Sequence, residues 1–206
     1  MQENIDSYYS LILSTITATT AIIALFLSYT SISLSNKQYL FDKRINIWLF
    51  INEMMQQCIY IPSYLDEPSK PMLLPRHLLL CLTNINEFKD IINDANIPID
   101  KLDLKSFNKK CEDIKRMSIE VKMIFKRGCA KAMEDFLLKY CSVLSTCLLY
   151  EFILKESQKN PSLKKKEESY RTELHATINE LTQAYNILKN TSTIKNIERQ
   201  IRLSKK

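Results

Sequence analysis

Residues 7–36 read SYYSLILSTITATTAIIALFLSYTSISLSN, and none of them is charged. An α-helix needs roughly 20 predominantly apolar residues to cross about 30 Å of hydrocarbon. Ser7 to Asn36 therefore predicts a single transmembrane helix, with its span at residues 8–35 behind a short extracytoplasmic tail at 1–7. Tyr8 and Tyr9 stand near one end and Tyr29 near the other. About 20 residues at about 1.5 Å rise separate them, the distance between two interfacial aromatic belts.

Small residues recur through the span at spacings of four and three: Ser10, Ser14, Thr17, Ala21, Ala24, Ser28, Ser31 and Ser35. They mark one helical face, and a small face lets helix backbones approach closely in lipid. Bulkier Leu13, Ile16, Ile23 and Leu27 suit the acyl chains on the other side. One reading is self-association or docking with a partner span. The plainer reading is an anchor that tolerates Ser and Thr because their hydroxyls bond their own helix carbonyls. A polar pore lining is a third reading, with no charged residue inside the span to mark an ion path.

The flanks orient the span. Met1 to Asp6 contains no Lys or Arg, whereas Lys37, Lys43 and Arg44 follow it closely. The positive-inside rule then puts the N-terminus outside and the rest of the chain in the cytoplasm. The three cations form an expected collar at the lipid headgroups, each gaining about 1 kcal/mol from anionic lipid. A cleaved signal peptide fits poorly, since the basic n-region is missing and the apolar run is too long.

From Asn36 to Ile61 there is neither Gly nor Pro, and Leu40, Ile47, Ile51, Met54, Cys58 and Ile61 keep a helical period. Phe41, Ile45, Trp48, Met55 and Ile59 broaden that face. The span thus continues as a juxtamembrane helix at 36–61. The junction Asn36-Lys37-Gln38-Tyr39-Leu40-Phe41-Asp42-Lys43-Arg44-Ile45-Asn46-Ile47-Trp48 resembles that of many uncharacterised small bacterial inner-membrane proteins. In those, an N-terminal span runs into an LFDKR-type helix. Phe41, Asp42, Lys43 and Arg44 match, and Trp48 stands near a position where Tyr is usual. The resemblance covers residues 8–60 and implies an inner-membrane anchor and no chemistry. Some such proteins lie in mobile or anti-phage loci.

Pro62, Pro68, Pro71 and Pro75 make a Pro-rich loop at 62–75. A cytoplasmic helical bundle follows at 76–189. Arg76 to Ala95 carries Leu78, Leu82, Ile85, Phe88 and Ile92 on one helical face. Behind Asp103 as N-cap, Leu104, Phe107, Cys111, Ile114, Met117, Val121, Ile124 and Phe125 form another. Gly128 is the single glycine of the 206-residue chain and the natural candidate for a helix C-cap. Ala130 to Lys155 is the second most apolar segment. Lys139 and Glu151 leave only about 11 uncharged residues between them, too few to cross a bilayer, so it is expected at the centre of a soluble core. Asn160-Pro161-Ser162 breaks the chain. From about Lys165 to Lys189, Tyr170, Leu174, Ile178, Leu181, Tyr185 and Leu188 then face the bundle or a short coiled-coil partner. A basic amphipathic tail closes the sequence at 190–206. Its Ile194, Lys195, Ile197, Arg199, Ile201 and Arg202 are expected to lie on the inner leaflet or to be solvated.

Composition agrees with an all-α fold. Apolar content of 46% and charge of 25% are ordinary for a globular protein. A single glycine cannot supply the turns of most sheet folds, and it excludes glycine-rich phosphate loops and nucleophile elbows. His77 and His175 lack the spacing of a helical zinc pair. Glu112–Asp113, Glu134–Asp135 and Glu167–Glu168 are adjacent pairs that diverge around a helix, so they read as solvated faces. The six cysteines, at 58, 81, 111, 129, 141 and 147, contain no CxxC and fall mostly on apolar faces, as small hydrophobes do. The net charge of +6 is interleaved with acid and lacks a nucleic-acid-binding motif. No catalytic, metal-binding or cofactor-binding residue, no cofactor and no small-molecule substrate is expected.

The sequence therefore predicts one N-terminal transmembrane helix continuing into a long cytoplasmic helix, followed by an irregular bundle of four to five helices. The function expected is a membrane-anchored interaction or scaffold module, touching the lipid bilayer and either self-associating or recruiting a partner membrane protein. The alternative is a membrane-perturbing effector, phage-defence or toxin-like, that oligomerises through the Ser/Thr/Ala face. An enzyme is disfavoured.

Overall fold

The computed structural model describes residues 2–59 and 104–202, with side chains from Leu11 onward and that of Ser106 excepted. The described residues form five α-helices and no strand. They are α1 (Gln2–Cys58), α2 (Leu104–Ile124), α3 (Arg127–Lys159), α4 (Lys164–Lys189) and α5 (Thr191–Ile201), with a 3-10 turn at Pro161–Leu163 before α4. The proline-rich loop, the helix expected at Arg76 to Ala95, the Asp103 cap, Cys81, His77 and the last two lysines lie outside the described residues.

The chain divides into two compact units at Lys43 and Arg44. The first is the N-terminal part of α1, which is long and apolar and runs without a break, as the absence of Gly and Pro predicts. From Leu11 to Leu40 every side chain is exposed except half-buried Ser33.

The second unit holds a packed core. α1 contributes Ile47, Phe50, Ile51, Met54, Met55 and Cys58 to it, close to the expected face, with Phe50 in place of Leu40. α3 is central and packs on α4 and α2. Its buried residues include Met133, Phe136, Leu137, Tyr140, Val143, Leu144 and Cys147, at the three- and four-residue spacing of one helix face. Phe107, Cys111, Ile114, Val121 and Ile124 answer from α2, and Leu174, Ile178, Leu181, Ala184 and Leu188 from α4. The seam on α4 is thus spent inside the bundle.

Two asparagines punctuate the last third in the same way. Asn160 Oδ1 accepts from the Ser162 backbone N–H at 3.2 Å and from its hydroxyl at 2.8 Å. Asn190 Oδ1 accepts from Ser192 in the same two ways, at 2.9 and 2.7 Å. Each satisfies donors that a new helix leaves orphaned, a capping arrangement that contributes about 1 kcal/mol. Ser157 adds a bond to Glu167, tying the end of α3 to the start of α4.

Gly128 departs from the expectation. α2 ends at Ile124 and α3 begins at Arg127, so Gly128 lies in the first turn of a helix and caps nothing. It has no positive φ, and a Cβ added there would meet nothing within 4 Å. Extended Lys126, at φ −68° and ψ 149°, reverses the chain without glycine.

Candidate functional site

The N-terminal part of α1 presents an apolar surface with no protein cover. Ile22 is 68% exposed, Leu25 72% and Phe26 66%. Ala21, Ala24, Ser28, Ser31 and Ser35 of the small-residue face are equally uncovered; Ser10 lies where side chains are not described. The hydroxyls largely look after themselves. Ser14 and Thr15 donate to the Leu11 carbonyl at 2.9 and 2.7 Å, Thr17 to Leu13 at 2.8 Å, Thr19 to Thr15 at 2.7 Å and Thr20 to Ile16 at 2.9 Å. Thr30 donates to Leu27 at 2.9 Å. A hydroxyl bonded within its own helix needs neither water nor a polar partner, so these residues are compatible with an apolar surrounding.

The three cations of the expected headgroup collar have different surroundings. Lys37 is exposed and Lys43 half-buried, but Arg44 is committed to the bundle. Its Nε donates to the Ile124 carbonyl at 2.9 Å and one terminal nitrogen donates to the Gln200 carbonyl at 2.7 Å. The guanidinium carbon also sits 5.9 Å from the centre of the Phe125 ring, within cation–π range. Ile124 ends α2 and Gln200 lies in the last turn of α5, so two negative helix C-termini converge on one cation. Burial lowers the Arg44 pKa. A guanidinium nevertheless stays charged in proteins.

Gln200 extends the junction. Its Oε1 accepts from the Lys126 backbone N–H at 2.7 Å, and its Nε2 donates to the Asn196 carbonyl at 3.3 Å and to Cys129 Sγ at 3.2 Å. The end of α2, the start of α3, the end of α5 and Arg44 of α1 are thereby tied at one point. Beside it, an open cleft of about 390 Å³ is lined by Lys126, Gly128, Cys129, Thr193, Asn196, Arg199 and Gln200. Sequence reasoning missed this junction because its partners lie 80 and 156 residues from Arg44. No local spacing signals such a contact.

The C-terminal amphipathic helix turns its apolar side to the bundle. Ile197 is fully buried, Ile201 packs on the core and Ile194 is half-buried. The apolar side that a membrane-surface tail would insert is therefore already occupied by the bundle. Lys195, Arg199 and Arg202 remain on the exposed side.

Among the described residues no group of three or more His, Cys, Asp or Glu could hold a metal ion. The acidic pairs have structural partners: Asp113 meets Arg116 at 2.9 Å, Glu134 meets Lys122 at 2.6 Å and Glu167 meets Ser157. The five described cysteines are free and buried. Desolvation pushes Cys58 up to about 12 and raises Cys147 and Cys129 as well, the opposite of what a nucleophilic thiol needs. Cys111 and Cys141 face each other across α2 and α3, with Cys141 Sγ 3.7 Å from the Cys111 carbonyl.

No family model, curated protein or solved structure matches the chain.

Proposed function

We propose that the chain is a single-pass membrane-anchored helical module. In this reading the N-terminal part of α1 crosses the bilayer and the Arg44–Ser204 bundle acts as an interaction scaffold on the cytoplasmic side. One observation carries the reading: the many exposed Leu, Ile and Phe side chains from Leu11 to Leu34, with no charged residue among them. Burying such a side chain gains roughly 1.5–3 kcal/mol relative to leaving it in water. Twelve large apolar side chains exposed along this stretch would forfeit tens of kcal/mol in water and nothing in lipid. The self-bonded hydroxyls support the same surrounding, and a helix satisfies its own backbone in hydrocarbon. Lys37 and Lys43 then lie on the cytoplasmic side by the positive-inside rule.

The scaffold acts by position. In this reading the span tethers the bundle to the membrane, where other spans are available as partners. The small-residue face at Ser14, Thr17, Ala21, Ala24, Ser28 and Ser31 supplies the surface for a second copy or a partner span.

Membrane fractionation with alkaline carbonate, followed by impermeant maleimide labelling of cysteines introduced at Gln2 and Lys195, tests the reading. The full chain should stay in the membrane pellet, with position 2 labelled from outside intact cells and position 195 only after lysis. A chain extracted by carbonate into a soluble monomer would overturn the span. Labelling of position 195 in intact cells would overturn the orientation.

A further inference from the structure

Between α5 and the start of α3 lies a space whose charge is not spent inside the fold. The open cleft of about 390 Å³ beside Gln200 is lined by two cations, Lys126 and Arg199, and no acidic residue lines it. Other cations of the bundle meet carboxylates: Arg116 meets Asp113, Lys122 meets Glu134 and Lys139 meets Glu180. Among the described residues neither the Lys126 ammonium nor the Arg199 guanidinium has an ion-pair partner. Thr193 and Asn196 add a hydroxyl and a carboxamide to the same wall.

The packing holds these groups in register. Thr193, Asn196 and Gln200 recur at three- and four-residue spacing on one face of α5, and fully buried Ile197 anchors that helix in the bundle. Gln200 bonds the Lys126 backbone N–H, the Asn196 carbonyl and Cys129 Sγ, which fixes the end of α5 against the start of α3. Gly128 supplies part of the other wall. It is the chain's only glycine, it has no positive φ, and glycine inside a helix costs stability relative to alanine. What its missing side chain provides is room, because a Cβ there would stand in open space. Burial raises the pKa of Cys129, so the cleft offers binding groups and no nucleophile.

We propose that this cleft is a binding site for a phosphate monoester. Two unspent cations match a dianionic group and supply charge-assisted hydrogen bonds to it. Arg199 brings a planar fork that fits two phosphate oxygens, and Lys126 brings a point charge. Asn196 and Thr193 are suited to the remaining oxygens or to hydroxyls of the esterified part. The volume lies within the range of small-molecule sites. No aromatic or large apolar side chain lines the cleft, so a nucleobase has nothing to stack on and an acyl chain has no apolar wall to cover. The phosphate with a compact polar remainder is therefore what is recognised, and a lipid headgroup or a free phosphorylated solute carries that same chemistry. The inference does not depend on whether the first helix crosses a membrane.

The test is calorimetric titration of the full chain, in micelles of a neutral detergent, with methyl phosphate. Saturable one-to-one binding is expected, with dimethyl phosphate several-fold weaker and acetate not bound at the same ionic strength. Lys126→Gln combined with Arg199→Gln should weaken methyl phosphate binding by about tenfold or more. Both side chains are exposed, so the thermal midpoint of that unliganded variant should match the parent's. Lys131→Gln, which removes an exposed cation outside the cleft, should bind as the parent does. Gly128→Ala should raise the thermal midpoint while weakening binding several-fold, a split that a purely structural glycine would not give. Competition separates the two sources. Short-chain phosphatidic acid that displaces methyl phosphate at lower concentration than inorganic phosphate does, while short-chain phosphatidylcholine displaces none, assigns a lipid headgroup. The reverse order assigns a free phosphate monoester. Absence of saturable binding, equal binding of acetate, or a double variant that binds as the parent does would overturn the proposal.

Discussion

The N-terminal part of α1 and the whole of α3 pass the same test of length and apolarity for crossing a membrane, yet they occupy opposite environments. In the most apolar window of α1 no residue is buried, whereas 44% of the corresponding window of α3 is. The difference follows from where the charges fall. Residues 7–36 carry none, so all sides of α1 can meet lipid. α3 is interrupted by Lys139 and Glu151, whose positions leave one apolar face and one polar face. Lys139 spends its charge on Glu180 of α4, while Phe136, Leu137 and Tyr140 beside it are completely enclosed. Apolarity measures how strongly a helix avoids water; the distribution of its charges decides whether protein or lipid supplies the shelter.

The sharpest way to break this contrast is to charge each helix at its centre. Ile22→Arg with Phe26→Arg should remove the chain from the carbonate-resistant membrane fraction, each arginine costing about 2.5–3.5 kcal/mol at a span centre. Thermal unfolding of the bundle, followed in detergent, should not change. Leu144→Arg in α3 should do the reverse, abolishing cooperative unfolding while the chain still sediments with membranes, since an unpaired charge cannot be accommodated in a packed core. If both double and single variants lost membrane association equally, the distinction between the two helices would fail.

A milder truncation probes α3 alone. Phe136→Ala should destabilise the bundle by about 3–5 kcal/mol in denaturant titration, through lost burial and the cavity left behind. The junction at Arg44 comes next. Arg44→Met removes a cation and leaves the Ile124 and Gln200 carbonyls without their donors, and should cost about 2–4 kcal/mol. Arg44→Lys should recover only part of that, because an ammonium lacks the planar fork that reaches two helix ends. A headgroup role for Arg44 would instead predict equal performance of Arg and Lys. The smallest effect is a gain: Gly128→Ala should stabilise the bundle by about 0.5–1 kcal/mol, from helix propensity at a site with room for a methyl group.

Much of this architecture was legible in the chain because it depends on local order. The unbroken α1, the breaks at Asn160 and Asn190, and the buried seams of α2 and α4 follow from periodicity and from residues acting within a turn of themselves. Three other positions have surroundings that the chain order does not reveal. Gly128 was expected at a helix end on rarity alone, although extended Lys126 turns the chain. Arg44 was expected among headgroups because it follows the span, although two carbonyls distant in sequence claim it. The amphipathic C-terminal helix was expected on the inner leaflet or solvated, and its isoleucines meet the bundle. In the last two cases an amphipathic or charged group has more than one satisfactory partner, and sequence spacing does not choose among them. The cleft beside Gln200 belongs here too: Lys126 and Arg199 come to line one space only when α5 packs on α3.

By itself, then, the amino-acid order determined the helices, their breaks and the uncharged stretch at 7–36, since each rests on interactions spanning about one helical turn. Only the tertiary structure decided which partner each ambivalent residue takes: carbonyls for Arg44 and the core for Ile197. Those choices are made among groups that are remote along the chain, and they are settled by which arrangement leaves the fewest buried polar atoms unbonded and the least apolar surface uncovered.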